Sequence, residues 1–95
     1  MKPFQWSVEK NHRLRQERGV SFEDVVVAIE SGRLLDVVEH PNKARYPDQQ
    51  IMVVDLFGYA YLVPFVEESE YLFLKTLIPS RKATRDFLGK RDTDD

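Results

Sequence analysis

The chain has 95 residues and a formal net charge of −2, with 42% apolar and 32% charged residues, a composition typical of one small globular domain. It contains no cysteine, which excludes disulfides, thiolate zinc sites and cysteine nucleophiles. No apolar run approaches the roughly 20 residues that span a bilayer, and the opening MKPFQWSVEK lacks the apolar core of a signal peptide. We therefore expect a cytoplasmic protein without a membrane partner, with one domain over residues 1–90 and a frayed acidic tail at 91–95.

Two helix starts follow each other in the first third of the chain. Ser7 is a favourable N-cap, and Gly19 is placed to end the first helix after about Arg18. This helix has few apolar residues, so it is expected to lie across a surface. Ser21 begins a second helix with acidic residues in its first turn, and Ser31-Gly32 ends it.

After the second helix the apolar period changes, which predicts four strands, at residues 34–39, 51–56, 59–63 and 71–78. Phe57-Gly58 is a tight turn, and Pro64 marks an edge, a bulge or the exit of the third strand. The fourth strand is apolar nearly throughout, so we expect it to be central and covered on both faces. A last helix runs from Ser80 to Leu88. The predicted fold class is α+β: two N-terminal helices, a four-stranded antiparallel sheet with helices on one face, and a C-terminal helix.

Charge is unevenly distributed along the chain. Residues 1–18 carry five Lys/Arg against two acids, and residues 75–91 carry six against one. The middle, 19–74, carries three Lys/Arg against ten acids. Both ends are thus basic, and a local basic patch is the feature that binds phosphate, whatever the net charge.

The last helix begins with the wrong charges. Helix N-termini favour acids, yet Ser80 is followed by Arg81 and Lys82, with Arg85 one turn later. An anion at this position would meet free N–H groups and up to three cations, which predicts a phosphate-binding site. The alternative is that these side chains extend into water at little cost.

Other candidate residues are more isolated. Glu39-His40 ends the first predicted strand and is either a general acid/base pair or a turn in which a backbone hydrogen bond holds the histidine. Lys75 either projects toward the same anion as Arg81 or extends along a sheet margin. Trp6 either stacks on a base or pins the N-terminus to the core. No pattern of metal ligands or cofactor-binding residues stands out, so no metal and no cofactor are expected.

Three motifs in this order resemble the BrnT-like toxins of bacterial type II toxin–antitoxin modules, in the RelE-like superfamily. The first is Phe4-Gln5-Trp6 followed by Glu9-Lys10-Asn11. The second runs from Arg18 to Glu23 and is similar to the family's HGVSFE, with arginine in place of the usual histidine. The third, Ile78 to Ala83, is similar to the family's ISARKA. The likeness covers residues 4–88.

The resemblance implies a RelE-like fold, a metal-independent endoribonuclease that blocks translation, and a ribbon-helix-helix antitoxin as partner. Promoter DNA would be bound only through the antitoxin. Arg81 matches the family's arginine before Lys-Ala, and Lys82 and Arg85 fall in the same basic helix start, whereas residues 39 and 40 align more loosely. Gln50 and Thr76 stand where the family usually has arginines.

Two functions of different kinds follow. In the first, an endoribonuclease uses Arg81, with Lys82 or Lys75, to stabilise the phosphorane, and Glu39 or His40 as base or acid, while Arg85 and Trp6 contact RNA. In the second, the same fold is a non-catalytic interaction module that binds an antitoxin or another acidic partner. DNA binding alone is a weaker third possibility, because no element resembles a helix that reads the major groove.

Overall fold

A computed structural model of the chain describes residues 1–89, so the predicted frayed tail at 91–95 lies outside the described residues. The elements in order are β1 (Phe4–Gln5), α1 (Val8–Arg18), α2 (Phe22–Glu30), β2 (Leu34–Glu39), β3 (Gln49–Leu56), β4 (Tyr59–Glu67), β5 (Leu72–Leu74), β6 (Ile78–Pro79) and α3 (Arg81–Leu88). The fold class is α+β, as predicted. None of the helices described is both long and apolar enough to cross a membrane.

All three predicted helices form, and local capping explains their starts. The hydroxyl groups of Ser7, Ser21 and Ser80 accept backbone N–H groups from the first turns of α1, α2 and α3. At α2, Asp24 completes the arrangement by accepting the N–H of Ser21 at 2.9 Å. Gly19 ends α1 with φ of 72°, in the left-handed region that favours glycine.

The sheet differs from the prediction of four antiparallel strands. Its strands run in the order β1-β5-β4-β3-β2, with β6 paired to β4, and β1 is parallel to β5. The predicted fourth strand, 71–78, is two short strands, β5 and β6, with Lys75 to Leu77 between them. In this order β4 is the middle strand, and β5 is an interior strand that pairs with β1 on one side and β4 on the other, whereas β6 pairs with β4 alone. The predicted central position is therefore found for β5 but not for β6.

Pro64 explains where the predicted fourth strand breaks. β4 continues through it, because Pro64 pairs with Ile51 of β3 on one side. On its other side, β4 pairs with β5 at Phe65 and with β6 at Leu62. Pro64 therefore lies where the neighbouring strand is interrupted, and its carbonyl accepts the N–H of Lys75 at 2.8 Å.

The helices cover both faces of the sheet, and the prediction of helices on one face was wrong. On one face, α1 and α2 pack Leu14, Phe22 and Val25 against alternate residues of β3 and β4, such as Met52 and Val63. On the other face, α3 packs against the residues in between, which include Val53, Ala60 and Leu62. Successive side chains of β3 thus point alternately into the two cores, one on each face of the sheet.

Candidate functional site

α3 is attached to β4 at its first turn. The N–H of Ser80 donates to the carbonyl of Ala60 at 3.0 Å. Thr84 Oγ1 accepts the buried N–H of Ala60 at 2.8 Å and donates to the carbonyl of Ser80 at 2.7 Å. These bonds fix the helix start, so the cations that follow have a defined position on the sheet.

The cations of α3 are partly neutralised within the helix. Lys82 Nζ lies 3.0 Å from Asp86 Oδ2, and Arg85 Nε lies 3.8 Å from Asp86 Oδ1. Arg81 forms no ion pair with any residue in the described range 1–89. One carboxylate therefore lies near two of the three cations, and within residues 1–89 the exposed guanidinium of Arg81 has no acidic partner.

Beside α3 lies a largely apolar groove of about 410 Å³, which we call the α3 groove. The sheet supplies its floor and β2 its far wall, while α3 lines the near wall. Val38 and Phe87, on opposite walls, are 40% and 43% exposed. The lining residues are Val38, Pro41, Ile51, Val53, Leu62, Ser80, Lys82, Ala83, Asp86 and Phe87.

The structure separates Glu39 from the α3 cations. Glu39 pairs with Gln50 of β3, which pairs in turn with Phe65 of β4. Because paired residues share a face and Phe65 packs in the α1/α2 core, Glu39 points to the face opposite α3. Its carboxylate lies 2.9 Å from the Nζ atom of Lys43, a residue of the loop that follows β2.

His40 is likewise bound within this loop. Its Nδ1 atom accepts the N–H of Asn42 at 3.0 Å, and its ring lies 4.6 Å from that of Tyr46. The neighbouring Pro41 lines the α3 groove, which places the histidine near one end of that groove. This geometry is that of a histidine in a turn, held by a backbone hydrogen bond, which was one of the two interpretations of its sequence. The other ring nitrogen, Nε2, is left available to a ligand.

Lys75 and Trp6 each lie against the ring of a phenylalanine. Lys75 lies beyond β5 rather than within a strand, so strand alternation does not carry it to the face of Arg81; its Nζ atom lies 5.5 Å from the ring of Phe73. Trp6 stacks on Phe22 with ring centroids 5.5 Å apart and packs against the α1/α2 core. The packing of Trp6 is that of an N-terminal anchor.

The first two sequence motifs meet at Asn11. Its Oδ1 atom accepts the N–H of Phe22 at 2.7 Å, and its Nδ2 donates to Glu23 Oε1 at 2.8 Å. Arg15 donates to the same oxygen at 2.8 Å. The hydrogen bond from Asn11 is the largest cause of a lowered pKa at Glu23. These motif residues therefore join α1 to α2.

A second concavity, lined mainly by charged residues, has a volume of about 70 Å³, and we call it the α1 crevice. It was not predicted from the sequence. Part of it is a single stripe of α1, readable from helical spacing at residues 10, 13, 14 and 17. Thr76, between β5 and β6, also lines the crevice. Because it is far from α1 in sequence, no local sequence pattern predicts that the two segments meet. Positions 18 and 76, where the chain departs from the BrnT-like pattern, both line it. The full lining is Lys10, Arg13, Leu14, Glu17, Arg18 and Thr76.

No protein-family model matches the chain, and comparison with curated proteins and with solved structures gives no significant match. The resemblance to BrnT-like toxins therefore rests on the three sequence motifs alone.

Proposed function

We propose that this protein is the toxin component of a type II toxin–antitoxin pair, with a RelE-like version of the α+β fold, acting in the cytoplasm. The α3 groove would be the surface on which its ribbon-helix-helix antitoxin docks a segment of chain. One observation carries this proposal: the α3 groove, with a volume of about 410 Å³ and a largely apolar lining, is open to solvent beside a helix that carries three cations.

The chemistry of the α3 groove defines the segment that fits it. Ile51, Val53 and Leu62 offer an apolar floor, and Phe87 and Val38 still expose part of their side chains. Covering them removes apolar surface from water, at roughly 25 cal/mol per Å². α3 carries three cations against one carboxylate, so an acidic amphipathic segment complements both features.

Binding to the groove is tested with the ribbon-helix-helix protein expected in the adjacent reading frame. Phe87→Ala should weaken the complex at least about tenfold in calorimetric titration, since it removes an anchor from the groove wall. Val27→Ala is the matched control, because Val27 is 57% exposed on α2, across the sheet. Equal affinity of both variants and the parent would contradict docking in the groove. Absence of such a reading frame would overturn the toxin assignment.

An endoribonuclease activity is the second candidate, favoured by the guanidinium of Arg81, which is exposed and forms no ion pair with residues 1–89. In such a reaction the 2′-hydroxyl of RNA attacks the adjacent phosphate, giving a cyclic phosphate and a 5′-hydroxyl product. Arg81 and Lys82 would stabilise the charge that develops on the phosphorane. We assign the acid/base role to His40 through Nε2, because Glu39 points to the opposite face of the sheet.

RNA cleavage is tested with purified protein in the presence of a chelator. Arg81→Ala should abolish the cyclic phosphate products, and His40→Gln should reduce them. Arg15→Ala is the control, since Arg15 is an exposed arginine of α1, which packs on the face of the sheet opposite α3. Cleavage by Arg81→Ala at the parental rate would refute the assignment. No cleavage of any RNA by the parent would leave the non-catalytic interaction module.

A further inference from the structure

The α1 crevice carries more positive charge than its surroundings balance. Lys10, Arg13 and Arg18 line it together with one carboxylate, that of Glu17. Within residues 1–89 none of these three cations forms an ion pair. The other arginine of this helix, Arg15, is paired with Glu23 outside the crevice at 2.8 Å. The unpaired cations of α1 are thus those that share one concave surface.

Helix stability does not explain the position of Lys10. Arg18 lies in the last turn, where a cation complements the helix dipole, but Lys10 lies in the first turn, where a cation is unfavourable. Lys10 and Arg13 are also three residues apart, a spacing at which like charges repel each other. An anion between them would reverse both effects.

The dimensions of the crevice suit one small oxyanion. Its volume of about 70 Å³ is several times the roughly 10–15 Å³ that a single water molecule requires, so a group of a few heavy atoms can enter it. Leu14, which is 4% exposed, anchors the floor to the core. Thr76 adds a hydroxyl donor from a separate segment, so the crevice is built from two parts of the fold rather than from one helix face.

We propose that the α1 crevice binds one phosphate group, held by Lys10, Arg13, Arg18 and the hydroxyl of Thr76. This site is separate from the α3 groove and does not depend on the function proposed there. The guanidinium groups of Arg13 and Arg18 can form charge-assisted hydrogen bonds with phosphate oxygens. The phosphate is either free or part of an RNA backbone.

The two sources are separated by titrating the full chain with inorganic phosphate and, separately, with a short oligouridylate while recording amide chemical shifts. Saturable shifts confined to the α1 crevice with either probe support the site. If oligouridylate binds and phosphate displaces it, the source is the RNA backbone; if only inorganic phosphate binds, it is free phosphate. Absence of saturable shifts with both probes would overturn the proposal.

Substitutions of matched charge sharpen this test. Arg13→Gln should weaken binding about tenfold, as expected for one lost charge-assisted contact. Glu17→Gln should tighten it, because a carboxylate that repels the phosphate is removed. Arg15→Gln, the control, changes a cation of the same helix outside the crevice and should leave binding unchanged. An effect of Arg15→Gln equal to that of Arg13→Gln would show a diffuse basic surface and overturn the proposal.

Discussion

Asn11→Ala should destabilise the protein, because Asn11 joins α1 to α2 through both ends of its side-chain amide. Its Oδ1 atom accepts the N–H of Phe22, which belongs to the first turn of α2 and has no carbonyl partner within the helix. Asn11 is 6% exposed, so the lost acceptor is not readily replaced by water. The substitution would therefore leave a buried donor unpaired.

The magnitude follows from three terms. An unpaired buried N–H costs about 1–3 kcal/mol. The bond to Glu23 adds about 1 kcal/mol or less, because that side chain is 55% exposed and solvent screens it. Alanine returns about 0.5–0.7 kcal/mol as the better helix former. The net loss should be about 0.5–3.5 kcal/mol, and each kcal/mol lowers the melting temperature of such a domain by about 4–8 °C.

The loss should also depend on pH through Glu23. Its pKa is lowered by the hydrogen bond from Asn11, then by its own backbone N–H, the Ser21 hydroxyl and the Arg15 guanidinium, while burial opposes them. A lowered folded-state pKa stabilises the protein above the unfolded-state pKa, and this contribution is lost as pH falls through the folded-state value. The difference in free energy of unfolding between the parent and Asn11→Ala should therefore become smaller in acid. The part that remains is the cost of the unpaired N–H of Phe22.

Urea unfolding followed by Trp6 fluorescence at pH 7 and at about pH 3 measures both parts. Asn11→Asp is the control, because its carboxyl group can still accept from Phe22 but repels Glu23 when both are ionised. It should be destabilised at neutral pH and recover in acid. A loss below about 0.5 kcal/mol for Asn11→Ala, within the range of ordinary surface substitutions, would refute the reasoning. So would an Asn11→Asp variant that does not recover.

Thr84→Val leaves the buried N–H of Ala60 unpaired and should cost about 1–3 kcal/mol in urea unfolding, whereas Thr84→Ser should retain most of the stability. A loss for Thr84→Ser as large as that for Thr84→Val would show that the methyl group contributes as much as the hydroxyl, and would contradict the assignment of the cost to the Ala60 hydrogen bond. Phe57→Asn should raise the free energy of unfolding by about 1 kcal/mol, because residue 57 is 75% exposed and has a φ of 57° in a two-residue hairpin turn. A thermal midpoint at or below the parental value would mean that the turn is not strained.

Features set by neighbours in sequence could be predicted. The N-caps Ser7, Ser21 and Ser80 each bond to an N–H three residues ahead, so their signal lies within one turn. The hairpin at Phe57-Gly58 is equally local, and its flanking residues Leu56 and Tyr59 pair as expected.

Features set by distant partners could not be predicted. β1 is two residues long, too short for a period, and exists because Leu72 donates its N–H to the carbonyl of Pro3 at 2.9 Å. The break between β5 and β6 depends on Pro64 of another strand. For the candidate site, the α3 cations could be read directly, but the face on which Glu39 lies depends on the register of β2 against β3.

The sheet also sets the relation between the two concave surfaces. The α3 groove and the α1 crevice share no lining residue, and the strands β3 and β4 lie between them. A ligand in the α3 groove and a ligand in the α1 crevice would therefore contact different residues and would not compete directly. Unless a whole helix moves, the coupling free energy between them should be close to zero. A partner bound at α3 would then leave the affinity of α1 for phosphate unaltered, and one molecule would hold both at once.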